Sequence, residues 1–303
     1  MNPEAPSLIF NIMRFATHDG PGIRTTIFFK GCPLACTWCH NPESQSFRPD
    51  ILYFPDRCRH CGDCVAACPE HAIEERGGVL YTAGTCRRCG HCLDFCMAEA
   101  RQMAGRPYTA AELLREVERD LIFFEESGGG VTLSGGEPLS RPRFVSALLL
   151  GCRERGIATA IETCGFAHPD VFLQVAPLAG LVLFDLKLMD PVKHQRHTGV
   201  ANHTILRNLK ALAGLRHPIK VRIPVVPGVN DSARDVDEFA AFLAPLGAPV
   251  ELLPYHAIGA EKYRRLHRIY ELKDTPEPSA ADLAQFRGRL AHAGVNVTLR
   301  GST

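Results

Sequence analysis

Apolar runs recur along the chain, with amphipathic stretches between them. Residues 25–29, 131–134, 157–162, 181–187, 219–226, 250–255 and 295–299 are rich in Val, Ile, Leu and Phe. Near-continuous apolar runs of this length mark strands buried on both faces, as in parallel sheets. An earlier run, 8–15, predicts a further strand at the edge. Between the runs the period becomes helical. Thr109 and Glu112 form a capping box, and Leu113, Val117, Leu121 and Phe124 make one helical face. Ser279 caps a last helix carrying Leu283, Phe286 and Leu290, which Gly294 ends. The alternation is that of an α/β fold, either a parallel barrel or a doubly wound sheet. Both gather their functional groups at the C-terminal ends of the strands.

Polar motifs fall at those ends. KGCPLACTWCHNP follows the run at 25–29, and SGGEP (134–138) follows the next. ETCG (162–165), DLK (185–187) and PYH (254–256) close three others. Packing alone gives no reason for such a rim.

The composition narrows the class. A chain of 303 residues allows one large domain with a modest insertion, and 46% hydrophobic residues suffice for a sizeable core. A net charge of +1 offers no steering toward nucleic acid or membrane. The start lacks a basic region followed by a long apolar run, and no apolar stretch reaches membrane-spanning length. A cytoplasmic protein is expected, in which the sequon at Asn202 is incidental. Disulfides are not expected there, so the 13 cysteines need another reason. Eleven lie between residues 32 and 96 at x2 or x3 spacings that suit shared metal. Cys152 sits in a helical pattern and reads as packing, and Cys164 reads as non-ligating.

Cys32, Cys36 and Cys39 are spaced C-x3-C-x2-C. Three thiolates so placed can hold three irons of a four-iron cube and leave the fourth open for a ligand. The alternative is a zinc knuckle completed by His40. Residues 51–104 interrupt the strand–helix pattern with an internal repeat, Cys58, Cys61, Cys64, Cys68-Pro69 and Cys86, Cys89, Cys92, Cys96. Two zinc ribbons are the alternative here, without ligand-spaced histidines to favour them. The repeat resembles a bacterial two-cluster ferredoxin, in which the fourth cysteine of each run serves the other cluster. That resemblance assigns Cys58, Cys61, Cys64 and Cys96 to one cluster, and Cys68, Cys86, Cys89 and Cys92 to a second. Met97 stands where the pattern often has a second proline.

The C-x3-C-x2-C segment closely resembles the radical S-adenosylmethionine (SAM) enzymes. THDGPGIRTTIFFKGCPLACTWCHNPES (17–44), SGGEP, TCGF, FDLK, VRIPVVPGVND and ELLPYH together resemble the activating enzymes of glycyl radical enzymes. The resemblance covers essentially the whole chain. It implies an incomplete (β/α)6 barrel formed by residues 1–50 and 105–303, with 51–104 as a ferredoxin-like insertion. It also implies three [4Fe-4S] clusters, SAM, and a glycyl radical enzyme as protein partner. An external one-electron donor such as flavodoxin or ferredoxin would feed the clusters. Cys32, Cys36 and Cys39 would hold the catalytic cluster.

The resemblance places the other site residues as well. Gly135, Gly136 and Glu137 would meet the SAM amino group, with the glycines allowing close backbone approach. Asp185 and Lys187 flank Leu186 on a strand and share a face; in the DLK motif Lys187 would pair with the SAM carboxylate and Asp185 would meet the ligand or a cation, unless the two charges form an internal ion pair. His256 would also bond that carboxylate, and Trp38, Cys39 and His40 would border the adenine. Arg222, in an apolar strand, is a further interior candidate. Glu162 and Thr163 stand where relatives have Asp-Thr, a pair some use for a monovalent cation; the longer Glu puts that geometry in question. Asp19 lies in a turn near the partner's expected entry. A radical SAM maturase and a non-enzymatic polyferredoxin carrier are the rival functions.

Overall fold

The structure, a computed structural model, describes residues 5–300. Its strands are β1 (Ser7–Ala16), β2 (Arg24–Phe29), β3 (Asp50–Tyr53), β4 (Ile73–Arg76), β5 (Val79–Thr82), β6 (Arg101–Ala104), β7 (Arg106–Tyr108), β8 (Gly130–Gly135), β9 (Thr159–Thr163), β10 (Leu181–Asp185), β11 (Ile219–Val225), β12 (Val250–Pro254) and β13 (Val297–Leu299). Among the described residues, the main sheet has nine strands, in the order β13-β12-β11-β10-β9-β8-β2-β1-β7. Neighbours from β2 through β13 are parallel. β1 runs antiparallel to both β2 and β7. The parallel order is sequential and never reverses, so the doubly wound alternative fails: it needs a switch point. The mixed sheet exceeds the six strands of the implied barrel: β13, on the run at 295–299, extends one side, and β1, on the run at 8–15, extends the other together with β7.

Strand alternation decides what each face presents. Val131 and Leu133, Ile161, Val182 and Phe184, and Val221 and Ile223 enter one apolar core with Leu148, Leu209, Phe239 and Phe286 of the flanking helices. Each such side chain contributes roughly 1.5–3 kcal/mol on burial. Thr132, Ser134, Glu162, Asp185 and Arg222 alternate with the core residues and take the opposite face. That polar face carries the site. Cys152 is buried in the apolar core.

Two elements differ from expectation. The single helix expected over 110–124 is two, Ala110–Glu118 and Leu121–Ser127. Asp120 ends the first by turning toward the sheet. Its carboxylate accepts from Thr25 Oγ1 at 2.6 Å and pairs with Arg14. The edge strand β7 carries Pro107, which an edge tolerates, and had no apolar pattern to announce it.

Residues 50–104 form a separate small body. β3 pairs antiparallel with β6, setting Asp50 opposite Ala104 and closing the segment at its base. β4 and β5 form a hairpin. Ile51, Tyr53, Ala72, Ile73, Leu80 and Ala100 make its own core, with Cys64, Cys68 and Cys92 among them. Lys30, buried at the end of β2, joins the two bodies: its Nζ donates to Asp50 Oδ2 at 2.7 Å and to the Glu43 carbonyl. Among the described residues, no helix is long and apolar enough to cross a membrane.

Candidate active site

The loop after β2 folds back on itself. Gly31 N donates to Ser44 O at 2.6 Å, and Cys32 N to Gln45 O at 3.2 Å. Ala35 N and Thr37 N donate to Thr198 O and His197 O at 2.8 and 3.0 Å, which pins the loop to the helix Pro191–Thr198. Cys32, Cys36 and Cys39 are thereby held together, each partly exposed. Burial pushes all three thiols up, Cys36 to about 12. Bound iron reverses that preference, since a coordinating thiol is deprotonated outright. Among the described residues, no three His, Cys, Asp or Glu side chains are grouped to hold a single metal ion. His40, which a zinc knuckle would need as its fourth ligand, is engaged by His256. Its ring stacks on His256 at 4.1 Å, and its Nε2 lies 3.2 Å from the His256 carbonyl.

The loop after β8 lies against this one. Gly136 N donates to Phe29 O at 2.8 Å and Glu137 N to Gly31 O at 2.9 Å. A Cβ on Gly136 would sit 2.4 Å from Gly31 O, and one on Gly135 2.4 Å from Phe29 N. The close approach these glycines permit is backbone against backbone. Gly136→Ala should therefore separate the two loops, at a loss of about 1–3 kcal/mol in stability. Thermal unfolding would check it; a wild-type midpoint would refute the packing argument.

Glu137 is buried, and its acceptors are occupied within the protein. Oε1 takes Leu139 N at 3.0 Å and Thr163 Oγ1 at 2.8 Å; Oε2 takes Cys164 N at 2.8 Å and Cys164 Sγ at 2.9 Å. Desolvation raises its pKa against these donors. Its side chain ties the β8 loop to the β9 loop. Cys164 is held by that tie.

The polar face carries one charge network. Arg222 Nε and Nη2 donate to Asp185 Oδ1 at 3.0 and 2.9 Å, and Nη1 pairs with Glu162. Ser134 Oγ donates to Glu162 as well. Lys187 Nζ lies 3.3 Å from Asp185 Oδ2. Burial opposes ionisation of Asp185, but Arg222 and Lys187 outweigh it and hold the carboxyl below its ordinary range. Burial likewise opposes the Lys187 ammonium, and the charges of Asp185 and Cys36 more than compensate. Lys187 therefore sits beside the cysteine loop as a cation.

Some expected contacts are not formed. Leu186 is fully buried in the main core, so its side chain faces away from the site. Glu162 and Thr163 take opposite faces of β9: the first is paired with Arg222, the second with Glu137. Trp38 is buried with Leu188, Val226, Tyr255 and Tyr263, and Cys36 and Cys39 pack against that cluster. Asp19 is fixed by Thr26 Oγ1 at 2.7 Å and by Arg300 at 3.5 Å. His256 Nδ1 is buried without a hydrogen-bond partner. Glu43 and Lys262 drew no role from the motifs, although HNPE directly follows Cys39. Lys262 bridges Asn41 Oδ1 and Glu43 Oε1 at 2.7 and 2.8 Å and so braces the loop's return.

Residues 50–104 contain two cysteine-lined cavities. One is bordered by Cys58, Cys61, Cys64 and Cys96 with Tyr53, Leu80 and Arg101. The other is bordered by Cys68, Cys86, Cys89 and Cys92 with Ile51, Ile73 and Thr82. Each cavity thus takes three cysteines from one run and one from the other.

Residues 82–243 match the Radical SAM superfamily, and residues 51–73 match a 4Fe-4S binding domain. The chain belongs to the radical SAM superfamily. Within it, the chain belongs to the activating enzymes of glycyl radical enzymes. It is 44% identical over 306 residues to the trans-4-hydroxy-L-proline dehydratase activating enzyme of Clostridioides difficile, covering 99% of this chain and 100% of the relative. It is 44% identical over 290 residues to the choline trimethylamine-lyase activating enzyme of Oleidesulfovibrio alaskensis, covering 92% and 93%. The benzylsuccinate synthase activating enzyme of Thauera aromatica is 41% identical over 306 residues, with 97% and 92% covered. In fold, the chain is similar to a radical SAM methyltransferase from Sphaerobacter thermophilus, with a TM-score of 0.55 at 15% identity over 99% of this chain and 77% of that one.

Proposed function

We propose that the protein cleaves SAM reductively at a cluster held by Cys32, Cys36 and Cys39 and abstracts a hydrogen from one glycine of a partner glycyl radical enzyme. The observation that carries this reading is the placement of the three cysteines at the C-terminal end of β2, with His40 turned away, so that one iron of a cube lacks a protein ligand. The donor set fits a [4Fe-4S] cluster: three thiols on one pinned loop, with the cationic Lys187 beside Cys36 to balance negative charge. When bound, the reduced cluster supplies one electron to the SAM sulfonium and so yields a 5′-deoxyadenosyl radical.

The chain's own residues bind and orient. Lys187, held as a cation by Asp185, faces the SAM carboxylate, and the unpartnered Nδ1 of His256 offers a second contact to it. The backbone of Gly135 and Gly136 borders the amino group. Arg222 fixes Asp185 and Glu162 and leaves neither carboxylate free to repel the substrate's own. Cys58, Cys61, Cys64 and Cys96 would hold a second cluster and Cys68, Cys86, Cys89 and Cys92 a third, in a ferredoxin-like insertion fed by flavodoxin or ferredoxin in the cytoplasm. The partner is a class only. Relatives named for a hydroxyproline dehydratase and a choline lyase are equally identical to the chain, 44% each, so similarity selects neither.

After anaerobic reconstitution the chain should carry about twelve iron and form 5′-deoxyadenosine from SAM under reducing conditions. Iron near four per chain would contradict the insertion's two clusters; absence of deoxyadenosine would contradict the activity.

A further inference from the structure

Arg101 is the charged side chain buried among those lining either cavity of the insertion, at 2% exposure. It borders the cavity of Cys58, Cys61, Cys64 and Cys96. Its Nη1 donates to Thr82 Oγ1 at 2.8 Å, and Thr82 lines the other cavity. Its Nη2 donates to the Leu80 carbonyl at 3.3 Å. Both acceptors are neutral, and Nε is buried with no partner. A buried guanidinium without a counter-ion is costly, so the site requires an anion. The thiols of Cys64 and Cys92, one from each cavity, lie within its electrostatic reach and can form anions. Tyr53 adds a second unused donor: the side chain is 1% exposed, and its hydroxyl stands beside Cys58 with no hydrogen-bond partner. Other charges around the cavities are weaker influences. Arg87 pairs with Glu70 at 3.1 Å, and Arg59 and Asp63 oppose each other at an exposed mouth where water screens them.

Resting on the two-cluster reading of the insertion, we propose that Arg101 and Tyr53 raise the reduction potential of the cluster held by Cys58, Cys61, Cys64 and Cys96 above that of its neighbour. A four-iron cube with four thiolates is anionic in both oxidation states and gains one further negative charge on reduction. A buried cation and a buried hydrogen-bond donor therefore favour the reduced form. One electron enters from a one-electron donor of the flavodoxin or ferredoxin kind; no proton moves, because the guanidinium stays charged throughout. Electrons arriving in the insertion collect on this cluster first.

The test is a potentiometric titration followed by electron paramagnetic resonance. The full-length chain carries Ala at Cys32, Cys36 and Cys39, so that only the insertion's clusters titrate. Two reduction steps are expected. Arg101→Met should lower the upper step by at least tenfold in its reduction constant, ~59 mV for one electron. The lower step should move less. Tyr53→Phe should shift the same upper step by a smaller amount, and Arg101→Lys should restore most of the loss. Unmoved steps with full iron retained, or a larger shift of the lower step, would overturn the proposal and leave the two clusters standing. If Arg101→Met loses iron, the Tyr53→Phe titration decides, and an unmoved upper step overturns the proposal. A parent protein without insertion iron would instead overturn the two-cluster reading beneath it.

Discussion

Replacing Cys32, Cys36 and Cys39 together by alanine abolishes 5′-deoxyadenosine formation while about eight of some twelve irons remain. The reason is the division of cysteines in space. The insertion's cavities are each bordered by four, a closed ligand set. The loop after β2 presents three, and the nearest other candidates are committed elsewhere: His40 stacks on His256, and Cys164 is bonded to Glu137. On the proposed reading, only the three-cysteine loop would leave an iron open to chelate SAM. Replacing the insertion cysteines should have the complementary effect, with SAM binding retained and most iron lost. Deoxyadenosine is measured by chromatography and iron by colorimetric assay. Persistent deoxyadenosine in the triple variant would place the chemistry in the insertion.

Arg222→Met should destabilise the fold by ~3–5 kcal/mol, because it leaves two carboxylates on the polar face without their shared cation. Arg222 is 5% exposed and bonds both Asp185 and Glu162. At this chain length the loss corresponds to roughly 10 °C in unfolding midpoint. The pH dependence follows in sign. In the native protein Asp185 is held below its ordinary value, so its contribution is complete above that value and is lost as pH falls through the depressed one. In the variant, burial without Arg222 raises the carboxyl pKa. Protonation then relieves the penalty, and the gap from wild type narrows as pH falls. Anaerobic calorimetry over a pH series reads both effects. A gap that widens as pH falls would mean the carboxylates are solvated and Arg222 serves another role.

The sequence made the parallel strands legible because their core-facing residues are apolar wherever helices cover them. β11 shows it: Ile219, Val221, Ile223 and Val225 are buried on the core side, while Lys220 and Arg222 mark the other face. The same alternation makes the sharing of a face by Asp185 and Lys187 readable, and turns Leu186 away from it. The break at Asp120 was not legible, since its causes, Thr25 and Arg14, lie about a hundred residues away in sequence. The ties of Glu137 were hidden for a similar reason: its acceptors are occupied by residues 139, 163 and 164, the last two from another strand's end. Arg101 and Tyr53 gave no signal at all, because only the pairing of β3 with β6 buries them between the cysteine runs.

The central claim is that a carbon radical ends on a glycine of a partner protein. The reduced enzyme should be mixed anaerobically with SAM and its cognate glycyl radical enzyme, and the product followed by electron paramagnetic resonance. A glycine-centred doublet should form and collapse toward a singlet when the partner carries α-deuterated glycine. Steady deoxyadenosine formation with no such signal would contradict the account and favour a small-molecule or peptide-modifying radical SAM enzyme.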